Sequence, residues 1–328
     1  MRKKKWLLII PLVLVIIYLL GPSPATPVYT SAMPAVPAAP APLETYVAGH
    51  EAQHKVKPGN EARIVWYNDS LKNKTEYSLV YLHGFSASQA EGDPVHKDIA
   101  KKFGCNLYLS RLAEHGIDTT DVLINLTADE YWESAKEALA IGKQLGNKVI
   151  LMATSTGGTL ALKLAAEYPD IYALVLLSPN IAINDPNAWL LNNHWGLQIA
   201  RMVLGSDYID SKDTRELYKQ NWSYHYRIEG AVSLQELVET SMTEATFKKV
   251  TQPTLLLYYY KDDVHQDSVV KVSAMQEMFT QLGTPTDKKR EVSMPNTGDH
   301  VIGSYIKSKD IEGVEREIEK FMREVLKL

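Results

Sequence analysis

Short apolar runs alternate with stretches of helical periodicity from about residue 61 to the end of the chain. The runs 149–153 and 173–177 are continuously apolar, which is typical of strands covered on both faces of a sheet. The stretches between them are longer and carry the spacing of amphipathic helices. This alternation predicts an α/β fold with a mostly parallel central sheet, helices on both faces and a large buried core.

The pattern assigns individual elements and one insertion. The predicted strands cover residues 63–67, 78–82, 106–109, 148–153, 172–177, 254–260 and 289–293. The predicted helices cover residues 95–103, 128–145, 157–168, 268–282 and 303–328. Residues from about 184 to 249 break the alternation and are polar and aromatic, so they are predicted to form a helical cap within a domain of residues 43–328.

Two segments precede that domain. Residues 1–20 join a basic stub to an apolar run from Trp6 to Leu20, which at ~1.5 Å per residue is shorter than the ~30 Å bilayer core. They are interpreted as a signal anchor that exports the protein and holds it at the membrane, with a cleaved signal peptide and a periplasmic or secreted protein as the alternative. Residues 21–42 are rich in proline and alanine, which predicts an extended linker that keeps the domain clear of the bilayer.

Composition limits the partners. The 328 residues carry 35 Lys and Arg against 39 Asp and Glu, and four of the basic residues lie in the N-terminal stub. Nucleic acid is therefore not expected as a partner, because binding phosphates needs a basic face. The single cysteine, Cys105, excludes an internal disulfide and a cysteine-cluster metal site. No metal or other cofactor is predicted, a small molecule is the expected partner, and the oligomeric state stays open.

The strongest chemical signal is a serine between small residues where a strand runs into a helix. Ser155 follows the apolar run 149–153 and lies between Ala153 and Gly157. This spacing is typical of a nucleophile elbow, a tight turn that holds a reactive serine beside the N-terminus of the next helix. The alternative interpretation is a βα loop without catalysis.

Two further loops would complete such a site. The sequence His83-Gly84-Phe85 ends the strand 78–82, and its turn predicts an oxyanion hole formed by the N–H groups of Phe85 and Thr156. His300 lies between the last predicted strand and the last helix, from which it can reach Ser155 as a general base.

An acid after the strand 254–260 is expected to orient the histidine. Asp262 comes first after that strand and is the predicted partner of His300. Asp263 is adjacent and remains an alternative. Asp267 is a more distant one, because it is expected at the cap of the following helix.

Residues from about 61 to 328 resemble an α/β-hydrolase-fold serine hydrolase of the carboxylesterase and monoacylglycerol-lipase-like group. The matching motifs are His83-Gly84-Phe85, Arg111-Leu-Ala-Glu-His115-Gly116, Ser155 in Ala-x-Ser-x-Gly-Gly, Lys261-Asp262 and Gly298-Asp299-His300. The resemblance implies cleavage of a short acyl ester or a monoacylglycerol-like ester through an acyl-enzyme. Its implied roles are nucleophile for Ser155, base for His300 and acid for Asp262, with Phe85 and Thr156 as oxyanion donors. The chain departs from the group at Ala153 and Tyr259, where relatives usually have glycine.

Other functions stay open beside this one. A serine peptidase or amidase would use the same residues on an amide, and a hydrolase-like binding module would have lost turnover. In the cap, aromatic side chains are predicted to line an acyl pocket, with the core of the cap itself as the alternative. These side chains are Trp189, Trp195 and Trp222.

The sequence His50-Glu51-Ala52-Gln53-His54 also fits the His-Glu-x-x-His pattern of zinc sites. It lies between Gly49 and Pro58, which leaves room for a short helix only, and it has no long apolar face. A solvated segment leading to the first strand is expected there instead of a metal site.

Overall fold

The structure of the chain, a computed structural model, describes residues 2–328, with side chains from residue 9 onward. The strands are β1 (Arg63–Val65), β2 (Thr75–Leu82), β3 (Asn106–Leu109), β4 (Gly146–Thr154), β5 (Ala173–Leu177), β6 (Tyr208–Asp210), β7 (His225–Arg227), β8 (Thr254–Tyr258) and β9 (Lys289–Ser293). The helices are α1 (Arg2–Leu19), α2 (Pro40–Glu51), α3 (Val95–Lys102), α4 (Ala128–Leu145), α5 (Thr156–Glu167), α6 (Gly196–Leu204), α7 (Glu216–Asn221), α8 (Ile228–Ser241), α9 (Glu244–Lys249), α10 (Val272–Gln281) and α11 (Ile311–Glu324). Short 3-10 helices cover Gln89–Gly92, Ala188–Leu190 and Thr286–Lys288.

The central sheet has the strand order β1-β3-β2-β4-β5-β8-β9. Strand β1 runs antiparallel to β3 at one edge, and the other neighbouring pairs are parallel. The continuously apolar strands β4 and β5 lie side by side inside the sheet and are buried on both faces. The predicted α/β fold with a mostly parallel sheet is therefore confirmed, and each of the predicted strands belongs to this sheet.

Side chains alternate between the two faces of the sheet. Val80 and Leu151 join a cluster that includes Trp132 and Leu139 of α4. Their neighbours Leu79, Tyr81 and Ile150 point to the opposite cluster, which includes helices α3 and α11. Helix α4 begins at a capping box, in which the side chain of Thr127 accepts a hydrogen bond from the N–H of Glu130. The local sequence at Thr127 therefore sets the start of helix α4, whose buried face then packs on the sheet.

The stretch predicted as a cap connects β5 to β8. It contains the 3-10 helix Ala188–Leu190, helix α6, a two-stranded sheet of β6 and β7, and helices α7, α8 and α9. Helix α8 contacts α4 and α5, and its buried side chains include Leu234 and Leu237. The cap is therefore seated on the helices that cover one face of the sheet.

The N-terminal part of the domain starts earlier than predicted. Helix α2 begins at Pro40, and it buries Leu43 and Val47 in the core. The predicted boundary at residue 43 falls inside this helix. The pattern was missed because the proline- and alanine-rich composition runs into its first turn, where proline is well tolerated.

Residues 21–39 are extended, but they lie on the domain instead of holding it at a distance. Tyr29, Met33 and Val36 pack against the core cluster. The indole Nε1 of Trp132 donates to the carbonyl oxygen of Thr30 at 2.7 Å. We call residues 21–39 the strap. The expectation of a free spacer was wrong because these apolar side chains interrupt the proline and alanine pattern.

A buried lysine lies beneath the strap. The side chain of Lys136 has no exposed surface, and its Nζ donates to Thr30 Oγ1 at 2.6 Å and to the carbonyl oxygen of Ala32 at 2.9 Å. It also pairs with Glu133 at 2.8 Å. A buried ammonium is costly unless its protons are bonded, so the strap supplies partners that Lys136 needs.

The strap begins at the cap. The carbonyl oxygen of Gly21 binds Nδ1 of His194 at 2.7 Å, and that of Pro22 accepts from the N–H of Trp195 at 2.8 Å.

Of the predicted export segment 1–20, Met1 and the side chains of residues 1–8 lie outside the described residues. Within the described chain, no helix is both long enough and apolar enough to cross a membrane.

Removing residues 1–38 is expected to lower the free energy of unfolding by about 2–4 kcal/mol. The truncation uncovers Trp132 and strips Lys136 of two partners, and each such loss is worth about 1–3 kcal/mol. Urea unfolding of the two proteins measures the difference. A truncation of residues 1–16, which leaves the strap in place, is the control and should match the full chain. Equal stability of the two truncations would contradict a structural role for the strap.

Candidate active site

Ser155 occupies a tight turn between β4 and α5. Its backbone has φ of 53° and ψ of −121°, and its N–H donates to the carbonyl oxygen of Leu177 at 3.1 Å. A Cβ at Gly157 would lie 2.0 Å from the carbonyl oxygen of Leu82, so only glycine lets α5 approach β2 this closely. The serine is 6% exposed and lies at the end of α5 where N–H groups point outward.

His300 lies in the loop between β9 and α11, and its partner is Asp267. The ring nitrogen Nδ1 is 2.6 Å from Asp267 Oδ2. The other oxygen of Asp267 accepts from the N–H groups of Val269 at 2.8 Å and Val270 at 3.0 Å. Among the described residues, His300 Nε2 is buried without a hydrogen-bond partner. With Nδ1–H held by the carboxylate, Nε2 carries the lone pair that a general base needs.

Asp262 does not contact His300, which corrects the prediction. Its carboxylate accepts from the backbone N–H of His265 at 2.8 Å and lies 2.9 Å from Nδ1 of the same residue. Asp263 accepts from the hydroxyl of Tyr260 at 2.9 Å. Both carboxylates are exposed to solvent.

The physical reason is a turn that the sequence pattern did not reveal. After β8 the chain turns outward, and Tyr260 pairs with Gln266 across that turn. The N–H of Asp267 then donates to the carbonyl oxygen of Tyr259 at 3.0 Å, which returns Asp267 to the end of the sheet. Helix α10 starts only at Val272, so Asp267 is not a helix cap. The apolar pair Val269-Val270, which follows Ser268, was the available signal, because Val270 is buried and a fully solvated turn would not lead into a buried side chain.

Charge stabilises the two partners mutually. Burial alone would lower the pKa of His300, but the charge and hydrogen bond of Asp267, with the charges of Glu91 and Asp299, raise it above its ordinary value. Burial alone would raise the pKa of Asp267, but His300 and the N–H donors of Val269 and Val270 lower it. The pair therefore favours the ionised carboxylate.

The loop after β2 is held by two neutral histidines. His83 Nε2 accepts from the N–H of Leu112 at 3.0 Å, and His115 Nε2 accepts from the N–H of Ser86 at 3.0 Å. Burial lowers the pKa of His83 to about 4 and that of His115 well below its ordinary value. Both rings are neutral at pH 7 and can accept these hydrogen bonds. The motif Arg111 to Gly116 thus supports the loop that carries Phe85.

The two predicted oxyanion donors lie at the cavity with Ser155. In the described part of the chain, neither the N–H of Phe85 nor that of Thr156 donates to a protein acceptor. The N–H groups next to them are occupied, that of Ser86 by His115 and that of Ser155 by Leu177. The structure therefore leaves two N–H groups for a ligand oxygen, as an oxyanion hole requires.

A cavity of about 440 Å³ contains Ser155 and His300 among its lining residues. Its cap side is mostly apolar and includes Leu191, Ile209, Tyr218, Trp222, Tyr226 and Leu234. Of the predicted aromatic side chains, Trp222 lines the cavity, whereas Trp189 is 52% exposed and lies elsewhere. Trp195 also lies elsewhere, because its indole packs on Gly21 and donates to the carbonyl oxygen of Ile17 at 3.1 Å.

The zinc-like sequence is used for structure. Helix α2 ends at Glu51, so His54 lies outside it and does not share a helical face with His50. Glu51 pairs with Arg111 at 2.8 Å, and His50 pairs with Glu137 at 2.9 Å. Within residues 2–328, no group of three or more His, Cys, Asp or Glu side chains is placed to hold a metal ion.

The chain is similar in sequence to known hydrolases. Residues 128–294 match the family described as serine aminopeptidase, S33. The thermostable monoacylglycerol lipase of Bacillus sp. (strain H-257) is 28% identical over 189 residues, which make up 57% of this chain and 70% of that lipase.

Solved structures of lipolytic enzymes share the fold. A structure from the metagenome-derived pair LipS and LipT gives a TM-score of 0.65 at 16% identity, covering 82% of this chain and 99% of that one. The monoacylglycerol lipase of Paleococcus ferrophilus gives a TM-score of 0.57 at 14% identity, covering 79% of this chain and 96% of that one. At such identities the likeness shows the fold alone.

Asp267→Asn is expected to slow the labelling of Ser155 by a fluorophosphonate about 10³- to 10⁴-fold, because the neutral amide no longer holds the correct histidine tautomer. It should also lower the pKa of His300, since the charge that raises it is gone. Labelling rates and NMR titration of the imidazole measure the two effects. Asp262→Asn is the matched control and should change neither. A strong effect of Asp262→Asn with a mild effect of Asp267→Asn would contradict the observed pairing.

Proposed function

Because the chain belongs to the serine aminopeptidase S33 family of α/β-hydrolases, we propose that it hydrolyses short acyl or monoacylglycerol-like esters through an acyl-enzyme on Ser155. Family membership and the monoacylglycerol lipase relative confirm the resemblance inferred from the motifs, and the chain is a hydrolase of the lipase and esterase kind. The observation that carries the proposal is that Ser155 and His300 line one cavity while Asp267 holds His300 from behind.

The proposed reaction has two steps, acylation of Ser155 and hydrolysis of the acyl-enzyme, and His300 acts as base and then as acid in each. Ser155 Oγ attacks the acyl carbon while His300 Nε2 takes its proton, and the carbonyl oxygen gains charge opposite the N–H groups of Phe85 and Thr156. The ester C–O bond then breaks, and His300 returns the proton to the leaving alkoxide. Water attacks the acyl-enzyme with His300 again as base, which releases the acid and restores Ser155. Asp267 stays ionised throughout and stabilises the imidazolium.

The cavity favours an acyl chain as the recognised group. Side chains from the cap and from the core give it apolar walls, among them Trp222, Tyr226 and Leu234. Burying the apolar surface of an acyl chain there would favour binding by about 25 cal/mol for each Å² removed from water. Charged side chains on the lining, Asp299 and Lys307, offer polar contacts for a glycerol or similar alcohol group.

A peptidase would use the same three residues, so the scissile bond must be tested directly. Short-chain p-nitrophenyl esters and monoacylglycerols should turn over, and aminoacyl p-nitroanilides should turn over at least about 100-fold more slowly. Ser155→Ala should reduce ester turnover by about 10³-fold or more. Ser70→Ala, at an exposed serine, is the control and should match the unaltered protein.

The outcomes separate the candidate functions. Turnover of the amides with none of the esters would favour a peptidase. A folded protein that neither turns over these substrates nor takes up a fluorophosphonate at Ser155 would favour the binding module.

We also propose that residues 1–20 direct export and keep the protein at the membrane. The support is the basic stub followed by the apolar run 6–20. The end of this run contacts the cap, since Trp195 donates to the carbonyl oxygen of Ile17. An anchored helix would thus hold the cap near the lipid surface, where an esterase meets amphiphilic substrates.

Carbonate extraction of membranes and N-terminal sequencing are expected to find the mature protein in the membrane fraction with its first residues attached. A wholly soluble protein that begins after Ala25 would exclude the anchor and leave export in place.

A further inference from the structure

One charged side chain at the cavity has no part in the proposed reaction. Glu91 lies in the 3-10 helix Gln89–Gly92, is 2% exposed, and is among the residues that line the cavity with Ser155. Its carboxylate accepts a hydrogen bond from the N–H of Gly84. A Cβ at Gly84 would lie 2.8 Å from Ser155 Cβ and 2.9 Å from Glu91 Oε1. The carboxyl group therefore lies beside the loop that carries Phe85 and close to the serine.

Three hydrogen-bond contacts to backbone groups hold the loop around Phe85. Nδ1 of His83 is 2.9 Å from the carbonyl oxygen of Gly84, and the N–H of Ser86 is bonded to His115. The third contact is the hydrogen bond that the N–H of Gly84 donates to the carboxylate of Glu91. Glycine at this position has wide backbone freedom, so the orientation of the N–H of Phe85 depends on these three contacts.

The short helix that carries Glu91 is itself tied to the loop of His300. Ser304 Oγ donates to the carbonyl oxygen of Ala90 at 2.7 Å, and the N–H of Tyr305 donates to that of Asp93 at 2.9 Å. Glu91 therefore connects the oxyanion loop to the segment that follows the general base.

Burying a carboxyl group costs free energy, and a single hydrogen bond offsets only part of that cost. Burial raises the pKa of Glu91 to about 7, while the N–H of Gly84 and the charge of His300 oppose the rise. The titratable and charged groups around it come from several elements: Tyr81, Tyr131, Tyr218, Asp299, His300 and Lys307. The charges of Glu91 and His300 therefore favour each other.

We propose that Glu91 is a positioning residue that holds the Gly84 peptide and thereby aims the N–H of Phe85 at the oxyanion. This inference rests on the proposed hydrolytic function of Ser155. The Gly84 contact needs an acceptor oxygen and not a charge, so an amide can replace the carboxylate there. The charge has a separate consequence, because it raises the pKa of His300.

Three variants separate these contributions. Glu91→Ala and Glu91→Leu remove the acceptor, and each is expected to lower kcat for a short-chain ester about 10- to 100-fold with little change in KM. Glu91→Gln keeps an acceptor oxygen and should retain kcat within about threefold. Asp98→Asn, at an exposed acid on α3, is the control and should behave as the unaltered protein.

The pH profile tests the charge of Glu91 separately from its hydrogen bond to Gly84. His300 acts as a base in its neutral form, so activity is lost as pH falls through its pKa. Ionised Glu91 favours the imidazolium and raises that pKa, so Glu91→Gln should shift the acidic limb of kcat/KM to lower pH. If the alanine and leucine variants do not fold, kcat of Glu91→Gln decides: retention within about threefold supports the acceptor role, and a loss of about 10-fold or more overturns it.

Full activity of folded Glu91→Ala, or equal damage in Glu91→Gln and Glu91→Ala at unchanged thermal stability, would overturn the inference. An unmoved acidic limb in Glu91→Gln would overturn its electrostatic part. If the unaltered protein turns over no ester, the proposed function fails. The rate of fluorophosphonate labelling of Ser155, which uses the same oxyanion hole, then tests Glu91 by the same comparison of variants.

Discussion

The turn at Ser155 is the constraint on which the site depends. Its positive φ and the close approach of α5 to β2 are possible because Gly157 has no side chain to meet Leu82. The carbonyl oxygen of Ser155 accepts from the N–H of Asn180, which ties the turn to the loop after β5. The serine is thus fixed by the two neighbouring strands as well as by its own.

The parallel sheet explains why the other groups meet there. In this topology the carboxyl ends of β2, β4, β5, β8 and β9 lie at one edge. The loop of Phe85 follows β2, Asp267 follows β8, and His300 follows β9. Each loop therefore needs only a few residues to reach Ser155, and the core beneath holds their starting points.

Buried polar groups at this edge differ in charge according to their partners. His83 and His115 accept from N–H groups and are kept neutral by burial, whereas His300 faces Asp267 and has a raised pKa. Glu91 lies between these cases, with a backbone donor on one side and His300 near it. The site thus keeps neutral imidazoles where it needs rigidity and a titrating one where it needs proton transfer.

The sequence by itself determined the sheet, because apolar runs such as 149–153 in β4 must be buried on both faces. It also predicted that Ser155, Phe85, Thr156 and His300 lie together, and the structure brings all four to one cavity. Local pattern could not determine the acid. Asp267 and His300 are 33 residues apart, and their contact depends on the turn after β8.

The strap and Glu91 also needed the tertiary structure. Proline- and alanine-rich sequence gave no sign that residues 21–39 would cover Lys136, because the lysine's need for partners appears only once α4 is packed. Glu91 has no motif at all. Its significance comes from proximity to Gly84, Ser155 and the loop after His300, which are distant in the chain and meet only when the sheet has formed. A side chain's burial and partners are properties of the whole fold, and for that reason the tertiary structure alone decided them.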